Sequence, residues 1–522
     1  MHHSRLIKTF FYSCMLIIST AQATTTNNTF FAPRAPLYNL PLQTSIWYSA
    51  AQQYNPNFGG SLQATAFFNR SMGAKKLGAY FGFADKNSFT INGIDTTGSI
   101  ANGDIHPFFF NLTPSYVGTF TLNPHRSVYG MRLDYRQDLS KWLEGLYYQL
   151  STPIVHVHTS MGFTEKITSN TNGGNTVQQT WQGGAVTSDW VEPYKYGKLS
   201  NSQSINGIAD IDLTVGYTLL NREGMRFAYE ALLTIPTSNA PRGEFLFEPV
   251  AGSGSHWAFG TGINGFITAW QDAKNDEHRL DISLNANYRY LFEGKEKRLL
   301  SLQNKPWGHF IRMRKKDPSS IANVLVNATP GPNVLTRTTH VTPGLQAECM
   351  ASVDYTRNSW QTSFGYTLWA RAQESVRLHS AWGTEGTYGL VGNTVVIDDA
   401  HTDGGFFTGG TTSGDIDTAG IFFPDAKTLP QLLIAESAAH VVSSASTIAK
   451  QATSDGTFFG VQDLKLAGHP TSISHTFSGS VGYALNTDTQ SFIGGGGSIE
   501  ISSAANPALS SWSLWAKYGV SF

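Results

Sequence analysis

The final eleven residues, Trp512 to Phe522, constrain the fold of this chain more than any other segment. Side chains of an extended strand alternate between its two faces. One face would carry Trp512, Leu514, Ala516, Tyr518, Val520 and Phe522, and the other Ser513, Trp515, Lys517, Gly519 and Ser521. A strand that is apolar outside and mostly polar inside is what a β-barrel needs when its wall meets lipid.

The same alternation recurs along most of the chain. Between Arg279 and Phe292 every second residue is apolar, and the residues between them are polar or charged as far as Arg289. A second segment, from Asp210 to Leu219, repeats this pattern. The segment from Arg226 to Ile235 pairs with it across a predicted turn at Asn221–Gly224.

The connections between predicted strands alternate in length. The candidate strands are 116–122, 126–137, 144–156, 207–219, 225–235, 256–270, 278–292, 342–355, 360–371, 473–485, 490–502 and 511–522. Short turns at 221–224, 271–277, 356–359 and 486–490 alternate with connections at 157–206, 236–255, 293–341 and 372–472. Outer-membrane barrels have short periplasmic turns and long external loops. A further hairpin, 61–68 with 77–83 turned at Ser71–Ala74, gives a predicted transmembrane antiparallel barrel of 14 strands. The alternative is 12 strands with the first ninety mature residues as an internal plug.

The C-terminal strand resembles that of bacterial outer-membrane β-barrel proteins of the porin type. The resemblance covers Trp512 to Phe522 only. It implies that the terminal aromatic residue belongs to the signal that the barrel-assembly machinery reads, and that the chain resides in the outer membrane among its lipids and lipopolysaccharide.

Composition supports a barrel over other classes. Charged residues are 14% of the chain, against roughly 25% in soluble domains, while the mean hydropathy is −0.20. No apolar run reaches the length of a membrane-spanning helix, and a net charge of −1 argues against a nucleic-acid partner. The alternative fold is a secreted β-sandwich, because its strands also alternate apolar and polar residues.

The N-terminus has the features of an export signal. Arg5 and Lys8 precede an apolar stretch from Thr9 to Ser19, and Ala21-Gln22-Ala23 offers a cleavage site after Ala23. We expect a signal peptide at 1–23, an irregular periplasmic or plug segment at 24–58 and the barrel at 59–522. Cleavage removes Cys14 and leaves Cys349 alone, so no intrachain disulfide is expected.

Alternation assigns charged side chains to the inner wall and apolar ones to the lipid. The predicted pore-lining residues are Arg132, Asp134, Arg136, Asp210, Asp212, Arg226, Glu230, Arg279, Asp281, Arg289, Glu348, Asp354, Arg371, Glu500 and Lys517. The predicted lipid-facing residues are Tyr129, Leu133, Leu213, Tyr217, Leu280, Leu284, Tyr288, Tyr518 and Phe522. Opposed charges around water would set ion preference; alternatively, they are cross-strand pairs that stabilise a plugged lumen.

Two long connections stand out. The first, 293–341, carries the basic cluster Arg312 to Lys316. Three interpretations of this cluster are open: it attracts anionic solutes to the channel mouth, it binds lipopolysaccharide phosphates, or it is a solvated loop. The second, 372–472, has apolar residues at helical spacing from Ile434 to Ile448, which predicts a short amphipathic helix.

Signals for enzymatic chemistry are weak, and no cofactor or metal is expected. His156 and His158 face the same way and are two potential metal ligands, but no third ligand follows from the sequence. His475 should point outward with Phe477 and Val481. Gly495–Gly497 lies inside a strand and is a bend or a close-packing site.

We therefore expect a porin-like channel for passive diffusion of small hydrophilic solutes or ions. A homo-oligomer is compatible with this expectation. One alternative is a hydrophobic-substrate barrel similar to the long-chain fatty-acid channels, whose plug carries Asn-Pro-Ala. In this chain that triplet occurs at Asn506-Pro507-Ala508, near the opposite end of the sequence. A second alternative is an adhesin-like barrel that displays its long loops to surface partners.

Overall fold

The computed structural model describes most of the predicted barrel and parts of its long connections. The residues described are 28–46, 59–83, 85–92, 105, 107, 112–113, 116–170, 174–184, 192–273, 275–303, 307–310, 312–315, 329–383, 388–390, 460–486, 491–502 and 510–522. The predicted signal peptide, the 434–448 helix and the Asn506–Ala508 triplet lie outside them. Among the described helices, none is long and apolar enough to cross a bilayer.

Twelve antiparallel strands form a closed barrel in chain order. They are β1 (Gly60–Ser71), β2 (His125–Asp138), β3 (Leu146–Ser160), β4 (Ile211–Arg222), β5 (Met225–Ile235), β6 (Ala258–Asp272), β7 (Asn275–Leu291), β8 (Gly344–Arg357), β9 (Trp360–Arg371), β10 (Ser472–Asn486), β11 (Ser491–Ser502) and β12 (Ser511–Ser521). Each strand pairs with the next, and β12 pairs with β1 to close the ring, with Ala66 opposite Ala516. A further strand, Gln203–Ile208, lies outside the ring and pairs with residues Ile154–Thr159 of β3.

The predicted turns and loop parity are present in the structure. Arg222 pairs with Met225, so β4 and β5 are joined by two residues, Glu223 and Gly224. Gly224 has φ +66°, a conformation that favours glycine in two-residue hairpins. We call the end of the barrel that carries such turns the short-turn end, and the opposite end the long-connection end.

The prediction of 14 strands is wrong, because 77–83 is not a strand. Residues Ala74–Phe81 form helix α2, and Leu77, Tyr80 and Phe81 are buried on one side of it. The apolar residues there fit a period of 2 and a period of 3.6 equally well, and Gly73 in the left-handed conformation (φ +76°) starts the helix in place of a hairpin turn.

The 12-strand alternative has the correct number but the wrong strands. It included 116–122 in the wall and assigned the chain before it to a plug, whereas β1 is a wall strand. Residues Val117–Thr121 instead form a separate three-stranded sheet with Ser88–Asn92 and Thr164–Ser169. The alternation is real, but its buried face, with Phe120, packs against other long connections.

The remaining elements belong to the long connections and to the N-terminal segment. The helices in the described ranges are α1 (Leu40–Thr44), α2, α3 (Val177–Trp181), α4 (Gly331–Leu335) and a 3₁₀ turn at Val461–Asp463. In the small sheets, Thr336–Thr342 pairs with Gly294–Leu299 on one side and with Ser375–Leu378 on the other. Ser301–Leu302 pairs with Leu464–Lys465, and Arg312–Lys315 pairs with Thr329–Pro330 and Tyr388–Leu390. Parts of the 293–341 and 372–472 connections are therefore hydrogen-bonded to each other.

The outer wall of the barrel is apolar, as the alternation predicts. Large hydrophobic side chains project outward from strand after strand, among them Leu62, Leu150, Ile282, Val353, Phe364, Ile499 and Leu514. Aromatic residues lie toward both ends of the wall: Trp257, Phe259 and Tyr290 at the long-connection end, and Trp270, Trp360 and Tyr483 at the short-turn end. Two aromatic belts around an apolar band are typical of barrels embedded in a bilayer.

Candidate functional site: the barrel lumen

The alternation places almost every predicted pore-lining residue inside the barrel. Twelve of the 15 are buried wall residues, while Arg279 and Asp354 are partly exposed and face inward near the short-turn end. Asp210 is different, because it lies just before β4 with φ +68°. Its carboxylate accepts backbone hydrogen bonds from Thr237, Ser238 and Ser253, so it anchors a long connection.

The predicted lipid-facing residues are all exposed or half-buried. Tyr129, Tyr217, Tyr518 and Phe522 are exposed, whereas Leu133, Leu213, Leu280, Leu284 and Tyr288 are half-buried between outward-facing neighbours.

A stretch of the N-terminal segment, residues 28–46, lies inside the barrel; we call it the lumen segment. Near the long-connection end, Thr29 donates its hydroxyl hydrogen to the carbonyl of Leu299. Farther along, Ile46 lies against Gly494 on β11. The lumen segment therefore follows the barrel wall over a large part of its depth.

The lumen segment touches opposite walls within a few residues. Arg132 on β2 donates to the carbonyl oxygen of Leu37 over 2.7 Å. Glu348 on β8 accepts from the backbone N–H of Leu40 over 2.8 Å. Strands β2 and β8 are six positions apart in a ring of 12, so at this level the segment spans the lumen from wall to wall.

An arginine of the lumen segment joins two wall carboxylates. Arg34 forms an ion pair with Glu348 on β8 and another with Glu500 on β11, the latter over 3.3 Å. All three side chains are buried or nearly so. Glu500 also accepts hydrogen bonds from Ser474 and Ser511. Because an uncompensated charge in this setting would be costly, each member of the cluster depends on the others.

Other wall charges contact the lumen segment directly. Lys517 donates to the carbonyls of Gln43 (2.9 Å) and Ser45 (2.6 Å). The guanidinium of Arg289 lies 4.8 Å from the ring centre of Tyr38 and forms an ion pair of 2.6 Å with Asp212. The wall charges that were predicted to face water therefore also bind the protein's own chain.

Toward the short-turn end, wall residues pair with one another. Glu230 accepts hydrogen bonds from Tyr147, over 2.7 Å, and from Asn264. The guanidinium of Arg136 stacks 3.6 Å from the ring centre of Tyr147. Arg279 pairs with Asp281 over 3.0 Å. Both sequence-based interpretations of the wall charges thus describe part of the lumen: some are cross-strand pairs, and others hold the lumen segment.

A small cavity lies between the lumen segment and the wall at the long-connection end. Its volume is about 60 Å³. The lining is apolar at Phe31, Phe67, Leu77, Val128 and Phe247, and polar at Arg34, Asn69, Arg126 and Glu500. Arg126 was not among the predicted pore-lining residues, although it occupies an inward position of β2 two residues before Val128.

The long connections form an aromatic core at that end of the barrel. Phe120 contacts Trp181 and Trp307 at ring-centre distances of 5.1 and 5.5 Å, and Trp307 donates its indole N–H to the carbonyl of Phe81. The core continues through Tyr80 to Phe31 of the lumen segment, 5.6 Å away. We call this core, which includes Phe120, Trp181 and Trp307, the aromatic cap. The aromatic cap and the lumen segment are therefore in contact.

A buried charge network lies where the cap meets the wall. Arg298 pairs with Glu296 and with Glu374, each over 2.6 Å, and Glu296 pairs with His256 over 2.7 Å. Burial opposes ionisation of Glu374, but the nearby Arg298 and Arg371 guanidinium groups prevail and hold its pKa at about 2. In the cap itself, burial lowers the pKa of His309 to about 3.

The residues considered for catalysis or metal binding have other partners. His156 contacts Asn206 and His158 contacts Ser204, both on the strand outside the ring. His475 bonds to the hydroxyl of Tyr366 over 2.8 Å. Within the described ranges, no group of three or more His, Cys, Asp or Glu side chains is arranged to hold a metal ion.

The glycine run of β11 is a close-packing site, as expected. A Cβ on Gly496 would lie 2.7 Å from the indole of Trp515 and 2.6 Å from the carbonyl oxygen of Gly479. The glycine therefore makes room for an inward-facing tryptophan of β12.

Comparison with known proteins gives distant structural similarities only. No family model and no curated protein matches the sequence. Among solved structures, an outer-membrane channel from Pseudomonas putida F1 is similar over 90% of this chain and 97% of its own, with 8% identity and a TM-score of 0.36. The toluene transporter TodX of Pseudomonas putida is similar over 96% and 99%, with 7% identity and a TM-score of 0.33. The NanC porin is similar over 76% and 95%, with 10% identity and a TM-score of 0.25. These similarities are too distant to support any argument about this chain.

Proposed function

We propose that this chain is a passive channel of the bacterial outer membrane for small hydrophilic solutes or ions, gated by its own lumen segment. The proposal rests on the pairing of an apolar outer wall with a charged, enclosed inner wall. Such a barrel is stable in lipid because every wall backbone group pairs with a neighbouring strand. It requires no energy source beyond the solute gradient.

The lumen segment supports a gated channel over an open pore. It touches β2 and β8, which face each other, so solute must pass beside it or displace it. It is held by hydrogen bonds and ion pairs to polar wall groups, and water replaces such contacts when a segment moves.

We further propose that the chain is exported with a signal cleaved after Ala23, that its C-terminal strand is read by the assembly machinery, and that lipopolysaccharide contacts the outer rim. Association into a homo-oligomer belongs to the same proposal.

Planar-bilayer recording of the refolded full-length protein tests conduction. We expect stepwise conductance that switches between low and high levels, with weak preference between cations and anions because the wall charges nearly balance. Absence of conductance steps in repeated insertions would contradict the channel.

A second candidate is a channel for hydrophobic substrates, favoured by the aromatic cap and by the apolar side of the cavity. Liposome swelling with neutral sugars, compared with uptake of a fatty acid into the same vesicles, separates the two. Sugar-driven swelling supports the hydrophilic channel, and fatty-acid uptake without swelling supports the alternative. A barrel that only displays loops would show neither.

A further inference from the structure

We infer that the cavity beside the lumen segment is a binding site for a small monocarboxylate with a short apolar tail, and that Arg126 is its anion-binding group. This site is defined by the residues that line the cavity and not by passage of solute through the barrel. It would exist whether or not the barrel conducts, so it is tested by binding.

Arg126 is a buried cation that no described residue neutralises. The residue is only 8% exposed, and among the described residues its Nε and Nη2 have no hydrogen-bond partner. An arginine cannot shed its proton in a protein, and burial of an unpaired charge is strongly unfavourable. An anion in the cavity would offset that cost.

The neighbouring carboxylate does not fill this role. Glu500 also lines the cavity, but its oxygens are engaged by Arg34, Ser474 and Ser511. Arg126 therefore differs from Arg34, Arg132 and Arg289, each of which has a protein partner inside the barrel.

The free nitrogens define the shape of the anion. Nε and Nη2 form one edge of the planar guanidinium, and their two N–H groups point in the same direction. A carboxylate accepts both in the side-on bidentate geometry. A phosphate would carry additional negative charge toward Glu500 across the same small cavity.

The apolar part of the lining defines the rest of the ligand. Phe31, Phe67, Leu77, Val128 and Phe247 line it, so an alkyl group there would leave water for apolar surface. A volume of about 60 Å³ holds roughly four to six water-sized groups. Propionate and butyrate, with five and six non-hydrogen atoms, match this size.

Isothermal titration calorimetry of the refolded full-length protein in non-ionic detergent, at constant ionic strength, tests the site. Sodium butyrate is the probe, 1-butanol lacks the charge, and sodium formate lacks the tail. We expect butyrate to bind at least about tenfold more tightly than either, because each of the two contacts is worth that much or more. Decanoate should bind more weakly than butyrate, and the reverse order would overturn the size of the proposed ligand.

Two variants probe the site from different sides. Arg126→Gln removes the anion-binding group together with an unpaired buried charge, so the barrel should fold, as checked by circular dichroism. Ala35→Leu, on the lumen segment, fills the cavity and leaves Arg126 in place. Each should weaken butyrate binding at least about tenfold. The control, Arg136→Gln, lies on the same strand outside the cavity and should bind like the parent.

Failure of butyrate to bind the parent protein, or equal binding to Arg126→Gln, would overturn the site and mean that Arg126 is merely hydrated. Either result leaves the conductance test of the channel untouched, so the two proposals fail separately.

Discussion

Arg132 and Glu348 face each other from opposite walls of the barrel and hold the same short stretch of chain between them. Arg132 binds the carbonyl of Leu37, and Glu348 binds the amide of Leu40. The centre of the barrel is thus occupied by the protein's own backbone, held at both sides by charged wall residues.

Removing Arg34 should loosen the lumen segment. Arg34→Met leaves Glu348 and Glu500 without their buried partner, and breaking such a pair costs about 3–5 kcal/mol. We expect faster hydrogen exchange across residues 28–46 and longer time in the high-conductance level. Hydrogen-exchange mass spectrometry and single-channel recording measure these changes.

A matched double variant shows whether the charge is the cause. Arg34→Met with Glu348→Gln removes both members of the pair, so exchange should return part of the way toward the parent rate. If the double variant loosens the segment more than Arg34→Met alone, the ion pair is not what holds it.

A charge on the outer wall should be costly in proportion to its depth. Leu284 lies near the middle of β7 and Leu219 near the short-turn end of β4. Leu284→Arg should destabilise the barrel in lipid by about 2–4 kcal/mol, and Leu219→Arg by about 0–1 kcal/mol. Urea titration of the protein in phospholipid vesicles measures both, and equal costs would mean that this face does not meet acyl chains.

Acid should loosen the aromatic cap before it affects the barrel. Burial lowers the pKa of His309 to about 3, against an ordinary value of 6.5. A base with a lowered folded-state pKa stabilises the fold above its unfolded pKa, and that contribution is lost as the pH falls. Between pH 6.5 and 5 the loss is about 2 kcal/mol.

Tryptophan fluorescence from pH 7.5 to 5 detects this change, because Trp307 lies two residues away in the cap. His309→Asn cannot titrate and should reduce the response. His469, whose pKa burial also lowers well below the ordinary value, should account for what remains. Glu374 does not contribute in this range, because its stabilisation is lost only as the pH falls from about 4.5 toward 2. A response of full size in His309→Asn would exclude the assignment.

The wall of the barrel could be predicted from sequence because the polarity of neighbouring residues in a strand indicates which face each side chain occupies. Leu280 and Asp281 are neighbours in the chain, and their polarity alone assigns one to each face. The 11 wall strands after β1 followed from this rule with shifts of a few residues, as did β1 itself. The rule failed at Leu77 to Phe83, where the same residues fit a helix.

The lumen could be predicted only in part, because its contacts join residues far apart in the chain. Arg34 and Glu348 are 314 residues apart, and nothing in the local pattern around either indicates the other. Asp210 satisfied the alternation but serves as an anchor for a long connection. Arg126 also satisfied it, yet its meaning depends on a cavity that exists only after the lumen segment has folded against the wall.

The most direct test of the account is to tie the lumen segment to the wall and record conductance. The hydroxyl of Thr44 lies 3.3 Å from the sulfur of Met350, so these two side chains are neighbours. Thr44→Cys with Met350→Cys, in a Cys349→Ser background, is the pair to oxidise to a disulfide. The single-cysteine variants are the controls. We predict that the oxidised protein stays at the low level in planar bilayers and that a reducing agent restores high-conductance steps. Identical traces before and after reduction, with the disulfide verified by mass spectrometry, would contradict a channel gated by this segment.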